Sequence, residues 1–151
     1  MNKSKVLKNN QYHWTDVERK QYKTETTNFK DIHRYGLLGE KEEEQQLNSQ
    51  TRYFEIQPGG YSSLELHRHP HTVVIIRGKG SLILENEIHD IDLHDVIFIS
   101  PETIHQFHAD QDDHLGFICV VDRYRDRPTI PSQDQLDVRI TNPEVREKIK
   151  L

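Results

Sequence analysis

The chain of 151 residues contains a single cysteine. One cysteine excludes an internal disulfide, and it also excludes a structural zinc site built from several cysteines. Cys119 lies in the apolar run 115–121, and apolar burial disfavours a thiolate. The sequence therefore predicts a small buried hydrophobe at this position and not a reactive nucleophile.

The sequence also lacks a cluster of basic residues and a long apolar segment. Its formal net charge is -5 at pH 7, whereas binding to nucleic-acid phosphates depends on clustered Lys and Arg. Residues 1–10 are basic, but they contain no continuous apolar stretch of the kind found in secretory signals and membrane spans. We therefore expect a cytoplasmic protein with no nucleic-acid and no membrane partner.

The apolar residues are concentrated in the middle of the chain, although only 33% of all residues are hydrophobic. This length predicts one domain. We predict an N-terminal arm and first strand in residues 1–50, a barrel core in 51–122 and a C-terminal tail in 123–151. Mixed polarity before residue 30 predicts a loose arm with one turn of helix, and the acidic run 40–46 predicts a solvated loop.

Short apolar segments separated by Gly and Pro predict an all-β architecture. So many short strands avoid exposed edges by curling into a barrel or a two-sheet roll. A Pro58-Gly59-Gly60 turn is expected between the first two. The predicted core strands are residues 53–56, 61–69, 72–77, 81–84, 88–93, 96–99, 105–108 and 115–121. In the tail, Asn142-Pro143-Glu144 indicates the start of a short helix packed on the outside of the barrel.

Three histidines, His67, His69 and His71, occupy alternating positions within five residues. In an extended strand they point to the same side, whereas Arg68 and Pro70 point to the other. Imidazole is the most common protein ligand of first-row transition metals. The row therefore predicts one side of a metal site.

His105 follows the turn at Pro101 and is expected to reach the same site from another strand, because the interior side chains of a barrel converge. Several imidazoles favour one divalent transition metal, with iron, zinc, nickel, copper or manganese as candidates, over magnesium or calcium. His108, at an odd spacing from His105, is expected on the opposite strand face. The remaining histidines are expected to be ordinary surface or hydrogen-bonded residues: His13, His33, His89, His94 and His114.

The arginines near the histidine row are expected to face solvent. Arg68 and Arg77 flank the row and are expected to point outward on their strands, with steering of an anionic ligand as the alternative. The segment 123–127 is expected to be a solvated exit from the barrel, with a clamp on a neighbouring subunit or a carboxylate ligand as the alternative.

Three stretches, Gly60 to His69, Gly78-Lys79-Gly80 and Asp95 to Phe107, resemble the two sequence motifs of the cupin superfamily. The resemblance covers roughly residues 53–121. It implies a single cupin-type β-barrel, also called a double-stranded β-helix or jelly roll, that holds one metal and a small-molecule ligand. It implies a homodimer as well, and an exposed edge strand beginning at Thr51 would need such cover.

The first motif departs from the family pattern, because Val73 and Val74 stand where the family usually has a Glu ligand. Counted forward from Gly60, His67 and His69 resemble the histidine pair. Counted back from Gly78, His71 takes the place of the acid, and Glu65 and His67 take the places of the pair. Both alignments retain His67 and His71, and His105 resembles the ligand of the second motif.

Two functions are consistent with this pattern. The first is a metal-dependent enzyme that acts on a small polar metabolite by dioxygenase-, isomerase- or lyase-type chemistry, with the metal as Lewis acid or oxygen-activating centre. Glu65 is then the candidate catalytic residue, since such chemistry needs a carboxylate to handle a proton. The alternative is a non-catalytic cupin that binds or senses a small molecule.

Overall fold

The computed structural model describes residues 2–22 and 29–151. In this part the chain forms eleven strands, one 3-10 helix at Glu42–Glu44 and two short α-helices. The strands are β1 Asn9–Asn10, β2 His13–Trp14, β3 Arg19–Gln21, β4 Lys30–Leu38, β5 Ser49–Tyr61, β6 His71–Gly78, β7 Gly80–Leu84, β8 Glu87–Ile91, β9 Val96–Ile99, β10 His105–Ala109 and β11 Leu115–Asp122. The helices are α1 Gln133–Arg139 and α2 Pro143–Lys148.

A single curled antiparallel sheet of nine strands dominates the fold, which confirms the predicted all-β barrel. Its order is β8-β7-β10-β5-β11-β6-β9, with β4 paired to β5 and β3 paired to β4. Gly78 ends β6 with φ +63°, and a Cβ there would lie 1.8 Å from the carbonyl oxygen of His114. Only glycine fits this turn without strain.

Two predicted features of the core strands are wrong. The Pro58-Gly59-Gly60 turn does not end a strand, because β5 continues through it to Tyr61 with a register shift against β4. Gly59, at φ +77°, accommodates the extra residues as a bulge. The predicted strand at 61–69 does not form, and only two isolated bridges remain there, at Glu65 and Leu66. The division of the chain at residues 50 and 122 stays a prediction.

One face of the sheet forms the interior of the barrel. Phe54 of β5 pairs with Phe117 of β11, which pairs in turn with Ile75 of β6. Their side chains are almost fully buried in one apolar cluster that also contains Cys119, as predicted for this cysteine. Burial of each large apolar side chain contributes about 1.5 to 3 kcal/mol, which makes this face the main source of stability.

The N-terminal arm packs against the outer face of the sheet and is not loose. The ring centroid of Trp14 lies 4.9 Å from that of Tyr53, and Tyr12 stacks on the same ring at 6.0 Å. Residues 2–22 contain short strands and no helical turn. The predicted arm also includes residues 23–28, which lie outside the described residues.

The acidic run 40–46 is only partly solvated. It contains the short 3-10 helix, and Glu44 is buried at 7% exposure. Its Oε1 accepts hydrogen bonds from the main-chain N–H groups of Gly39 and Lys41 at 2.8 and 3.2 Å, and the side chain pairs with Lys5. A buried carboxylate needs such partners, and charge patterning alone does not reveal them.

The predicted helix after Asn142 is present as α2, with the Asn142 side chain accepting a hydrogen bond from the N–H of Glu144. Helix α1 was not predicted, although Ser132 and Gln135 form the capping box that marks its start. Both helices pack against the outside of the barrel in a second apolar cluster, which joins Leu64, Leu66, Ile83, Ile104, Leu136, Ile140 and Val145.

Sheet edges bear on the predicted homodimer. Thr51 lies inside β5, which pairs with β4 on one side and β11 on the other, so the argument from an exposed edge at Thr51 is wrong. Strands β3, β8 and β9 instead lie at edges of the sheet. No helix within residues 2–22 and 29–151 is long and apolar enough to span a membrane. The cytoplasmic location and the absence of a nucleic-acid partner stay predictions.

Candidate metal centre

The histidine row lies in a bend, not in the strand that alternation predicted. Residues 67–70 carry no ladder pairing, and only His71 belongs to a strand, as the first residue of β6. Glu65 forms a bridge with His105, the first residue of β10, through main-chain hydrogen bonds of 3.1 and 3.0 Å. The bend and this bridge bring all four candidate histidines and Glu65 to one place.

His67 stands at the centre of the cluster. Its ring centroid lies 3.8 Å from that of His69, 4.4 Å from that of His71 and 4.9 Å from that of His105. Two groups of ligand atoms lie within 4.8 Å of one another, namely His67 with His69 and His71, and His67 with Glu65 and His105. All five side chains are buried, with exposures from 2% to 8%.

Hydrogen bonds orient three of the four rings through Nδ1. The Nδ1 of His67 donates to the carbonyl oxygen of His69 at 2.7 Å, and that of His105 donates to the carbonyl oxygen of Thr103 at 2.9 Å. His69 Nδ1 lies 2.9 Å from Oδ1 of Asp126. An imidazole that donates through Nδ1 carries its lone pair on Nε2, which is the usual arrangement of a metal-ligating histidine.

The Nε2 atom of His67 is buried and has no hydrogen-bond partner among the described residues. A buried polar atom without a partner is costly. A metal ion bound at Nε2 would satisfy it, and the neighbouring donors fit the same ion, because the Nε2 atoms of His69 and His71 lie only 3.1 Å apart. The residues present thus fit a bound metal.

Burial favours the neutral form of three imidazoles in the cluster, those of His69, His71 and His105. Burial lowers the pKa of His71, and the nearby His105 and His67 lower it further. Burial also lowers the pKa of His105 and of His69, and it outweighs the carboxylates of Glu65 and Asp126, which act in the opposite direction. Neutral imidazole is the form that binds metal, so these sites are ready for an ion at neutral pH.

Asp126 holds the bend in place, and its role corrects the prediction of a solvated exit at 123–127. It accepts hydrogen bonds from the main-chain N–H groups of Arg68 and His69 at 2.9 and 3.0 Å. Burial raises the pKa of Asp126, but the hydrogen bonds from Arg68 and His69 outweigh it and keep the pKa below its ordinary value. Thr129 forms an antiparallel β-bridge with Leu66. This bridge places the chain after β11 beside the histidines.

Replacing Asp126 by Asn is expected to weaken metal binding by about 10- to 100-fold, the usual effect of losing an outer carboxylate. The amide keeps one acceptor oxygen but cannot carry the negative charge that accepts three N–H groups. The measurement is competition of purified protein against a metal chelator. Asp134→Asn, on the exposed face of α1, is the matched control, and an unchanged affinity in Asp126→Asn would contradict the prediction.

The cluster opens into a cavity of about 180 Å³. This volume is smaller than the roughly 300 to 1,000 Å³ typical of sites for drug-sized ligands. Its lining includes four residues of the cluster, namely His69, His71, His105 and Glu65. The rest of the lining is Tyr22, Ile32, Arg34, Arg52, Phe54, Ser62, Phe107, Phe117, Cys119, Arg125 and Pro128.

The cavity lining includes neither His67 nor any histidine outside the cluster, and it includes neither Arg68 nor Arg77. His108 is buried on the opposite face of β10, as predicted, and bonds to Gln106 at 2.9 Å. The Arg68 side chain is 80% exposed, as predicted. Arg77 is half-buried and not fully in solvent. Its Nη1 lies 2.7 Å from Oε2 of Glu55 on the outer face of the sheet.

Sequence reasoning gave no role to Arg34 and Arg52. It gave the segment 123–127, which contains Arg125 and Asp126, only the alternative role of a clamp on a neighbouring subunit or a carboxylate ligand. Asp126 orients His69, while Arg34, Arg52 and Arg125 line the cavity. No spacing rule connects them with the motif, because strand pairing and the path after β11 bring them there. Cys119 was predicted as buried, but not as a neighbour of His71, whose Nδ1 lies 3.5 Å from its sulfur.

Known proteins of similar sequence and structure share this architecture. Residues 52–121 match the family model of the Cupin domain. A relative from Rhodospirillum rubrum, named 1-methylthio-D-xylulose 5-phosphate methylsulfurylase, is 35% identical over 127 residues, which are 83% of this chain and 79% of the relative.

Two solved structures superpose over almost the whole chain. A cupin 2 conserved barrel domain protein from Rhodopseudomonas palustris has a TM-score of 0.83 and 39% identity, covering 91% of this chain and 93% of its own. A cupin 2 domain-containing protein from Halorhodospira halophila has a TM-score of 0.76 and 34% identity, covering 100% and 99%. With the barrel and the two motifs, these matches establish that the chain belongs to the cupin superfamily.

Proposed function

We propose that His67, His71 and His105 hold one divalent transition metal, and that Glu65 or His69 completes the donor set. The buried Nε2 of His67, with no partner among the described residues and with other donors around it, is the observation that carries this proposal. The motif count from Gly78 agrees with it, because that count makes Glu65, His67 and His71 the first-motif ligands.

The donor set limits the choice of metal. Neutral imidazoles with at most one carboxylate suit iron, zinc, nickel, copper or manganese better than magnesium or calcium. A metal bound here would act as a Lewis acid on an oxygen of the substrate, or would activate oxygen if it is iron.

We further propose that the protein is an enzyme whose substrate is a small polar metabolite. The size of the cavity and the donors in its lining support this proposal. The relative from Rhodospirillum rubrum is named for an activity on 1-methylthio-D-xylulose 5-phosphate, so this phosphorylated sugar thioether is the first substrate to test.

The chain's own residues have distinct tasks in such a reaction. Glu65 lies beside His105, with the Glu65 Oε1 4.0 Å from the His105 Nε2, and can take or give a proton at its carboxylate. The aromatic side chains of Phe54, Phe107 and Phe117 line the cavity and keep bulk water from the reacting atoms. A low local dielectric strengthens each polar contact to the substrate.

The test begins with elemental analysis of untagged protein purified without added metal. We expect about one bound transition metal per chain, and loss of turnover of 1-methylthio-D-xylulose 5-phosphate after chelation, with recovery when that metal returns. Protein that takes up no transition metal would refute the metal site. Metal uptake without turnover of this compound would reject it as the substrate.

We also propose a homodimer formed at the sheet edge of β9. Leu93, Val96 and Phe98 are 48%, 71% and 68% exposed beside this edge, and a second copy would cover them. Sedimentation velocity at micromolar concentration is expected to show a dimer that Val96→Asp with Phe98→Asp converts to monomer. Val138→Asp, equally exposed on α1, is the control, and a monomeric wild type would refute the dimer.

A further inference from the structure

Two arginines lie on the inner face of the barrel. Arg52 of β5 pairs with Cys119 of β11, and Arg34 of β4 pairs with Phe54 of β5. Because side chains two residues apart on a strand share a face, Arg34 and Arg52 lie on the side of Phe54 and Cys119. Both arginines line the same cavity as His71.

Arg52 is a buried cation with few partners. It is 9% exposed, and its Nε is buried with no hydrogen-bond partner among the described residues. Its Nη2 lies 3.4 Å from the sulfur of Cys119, a weak acceptor, and its guanidinium lies 5.0 Å from the ring centre of Phe54. In residues 2–22 and 29–151 no carboxylate forms an ion pair with it. A buried guanidinium stays charged, so this arrangement is costly without an anion.

Arg125 adds a third guanidinium to the lining. Its Nη1 donates to two neutral acceptors, Oε1 of Gln50 at 2.7 Å and the carbonyl oxygen of Asp122 at 3.2 Å. Burial lowers the pKa of Arg125, and the positive charges of Arg52 and Arg34 lower it further. Arg34 and Arg52 are therefore close enough to Arg125 for their charges to act on it, and all three line the same cavity.

Among the described residues, one carboxylate forms an ion pair with these three arginines. Glu40 pairs with Arg34, but it also lies 3.7 Å from the Nζ of Lys20. Glu65, which lines the cavity, lies beside His105. The cavity thus has an excess of positive charge at its arginines and metal-type donors at its histidines.

We propose that Arg34, Arg52 and Arg125 form an anion-binding subsite for the phosphate group of a phosphorylated substrate. Guanidinium groups match phosphate oxygens through paired N–H donors, and a phosphate dianion balances more of three positive charges than a single carboxylate. The subsite rests on the proposed function, since it would orient the substrate's other end toward His71 and His105.

The test uses the full chain freed of metal and measures binding without turnover. Inorganic phosphate and glycerol 3-phosphate are titrated by calorimetry at low ionic strength. We expect saturable binding of both, weakened about tenfold or more in Arg52→Gln and in Arg125→Gln, because each loses charge-assisted hydrogen bonds. Arg19→Gln, which removes one exposed positive charge on β3, is expected to bind like the wild type.

Several results would overturn the subsite: no saturable binding of either phosphate by the wild type, affinities of the folded variants within twofold of it, or tighter binding of malonate than of phosphate. If Arg52→Gln does not fold, Arg125→Gln at its less buried position decides. The measurement uses metal-free protein and does not depend on turnover. The phosphate subsite can therefore be found even if the metal site or the enzyme activity is refuted, so the two proposals can fail separately.

Discussion

Replacing His67 and His105 together by alanine is expected to reduce the bound transition metal from about one ion per chain to background. His67 is the central ring and belongs to both groups of ligand atoms, and His105 reaches it from another strand. Without them, His71 and His69 remain on one side of the site only. The measurement is metal content by elemental analysis after growth and purification under identical conditions.

The matched control removes two histidines that lie outside the cavity. His13→Ala with His89→Ala changes exposed positions on β2 and β8 and should leave the metal content unchanged. Thermal melting of the metal-free proteins checks that the His67 and His105 variant still folds. Full metal occupancy in that folded variant would reject the assignment of the ligands.

Replacing Glu65 by Gln is expected to lower kcat by about 10²- to 10⁴-fold while the metal content stays near that of the wild type. Glutamine has the size of glutamate and retains an oxygen, but it cannot take up a proton. The three imidazoles proposed as ligands are still present in this variant. The measurement is turnover of 1-methylthio-D-xylulose 5-phosphate, with metal content determined on the same samples.

Each other outcome for Glu65→Gln has a defined meaning. Loss of the metal would make Glu65 the fourth ligand, in agreement with the count from Gly78. Unchanged turnover with metal retained would remove Glu65 from the chemistry. If no turnover of small metabolites is found while a ligand binds at the metal, the non-catalytic binding module is the better interpretation. Glu87→Gln, at an exposed position on β8, is the control.

Local patterns were sufficient for most strands and for the histidines. Short apolar segments bounded by turn residues indicate strands, and this pattern correctly predicted the segments near 72–77, 81–84 and 115–121. It failed at 61–69, which was predicted as a strand in the same way. There the chain satisfies its hydrogen bonds through bridges to His105 and Thr129, which no local pattern specifies.

The sequence by itself determined the fold class, the apolar inner face and the supply of imidazoles, because these depend on residue type and short-range spacing. Only the tertiary structure decided that His67 lies at the centre, that Asp126 orients His69, and that Arg52 shares the cavity. Those relations join residues dozens of positions apart through the pairing of β5 with β11 and the path of the chain after β11. The three histidines that form an equivalent row in the sequence thereby become a bend around His67.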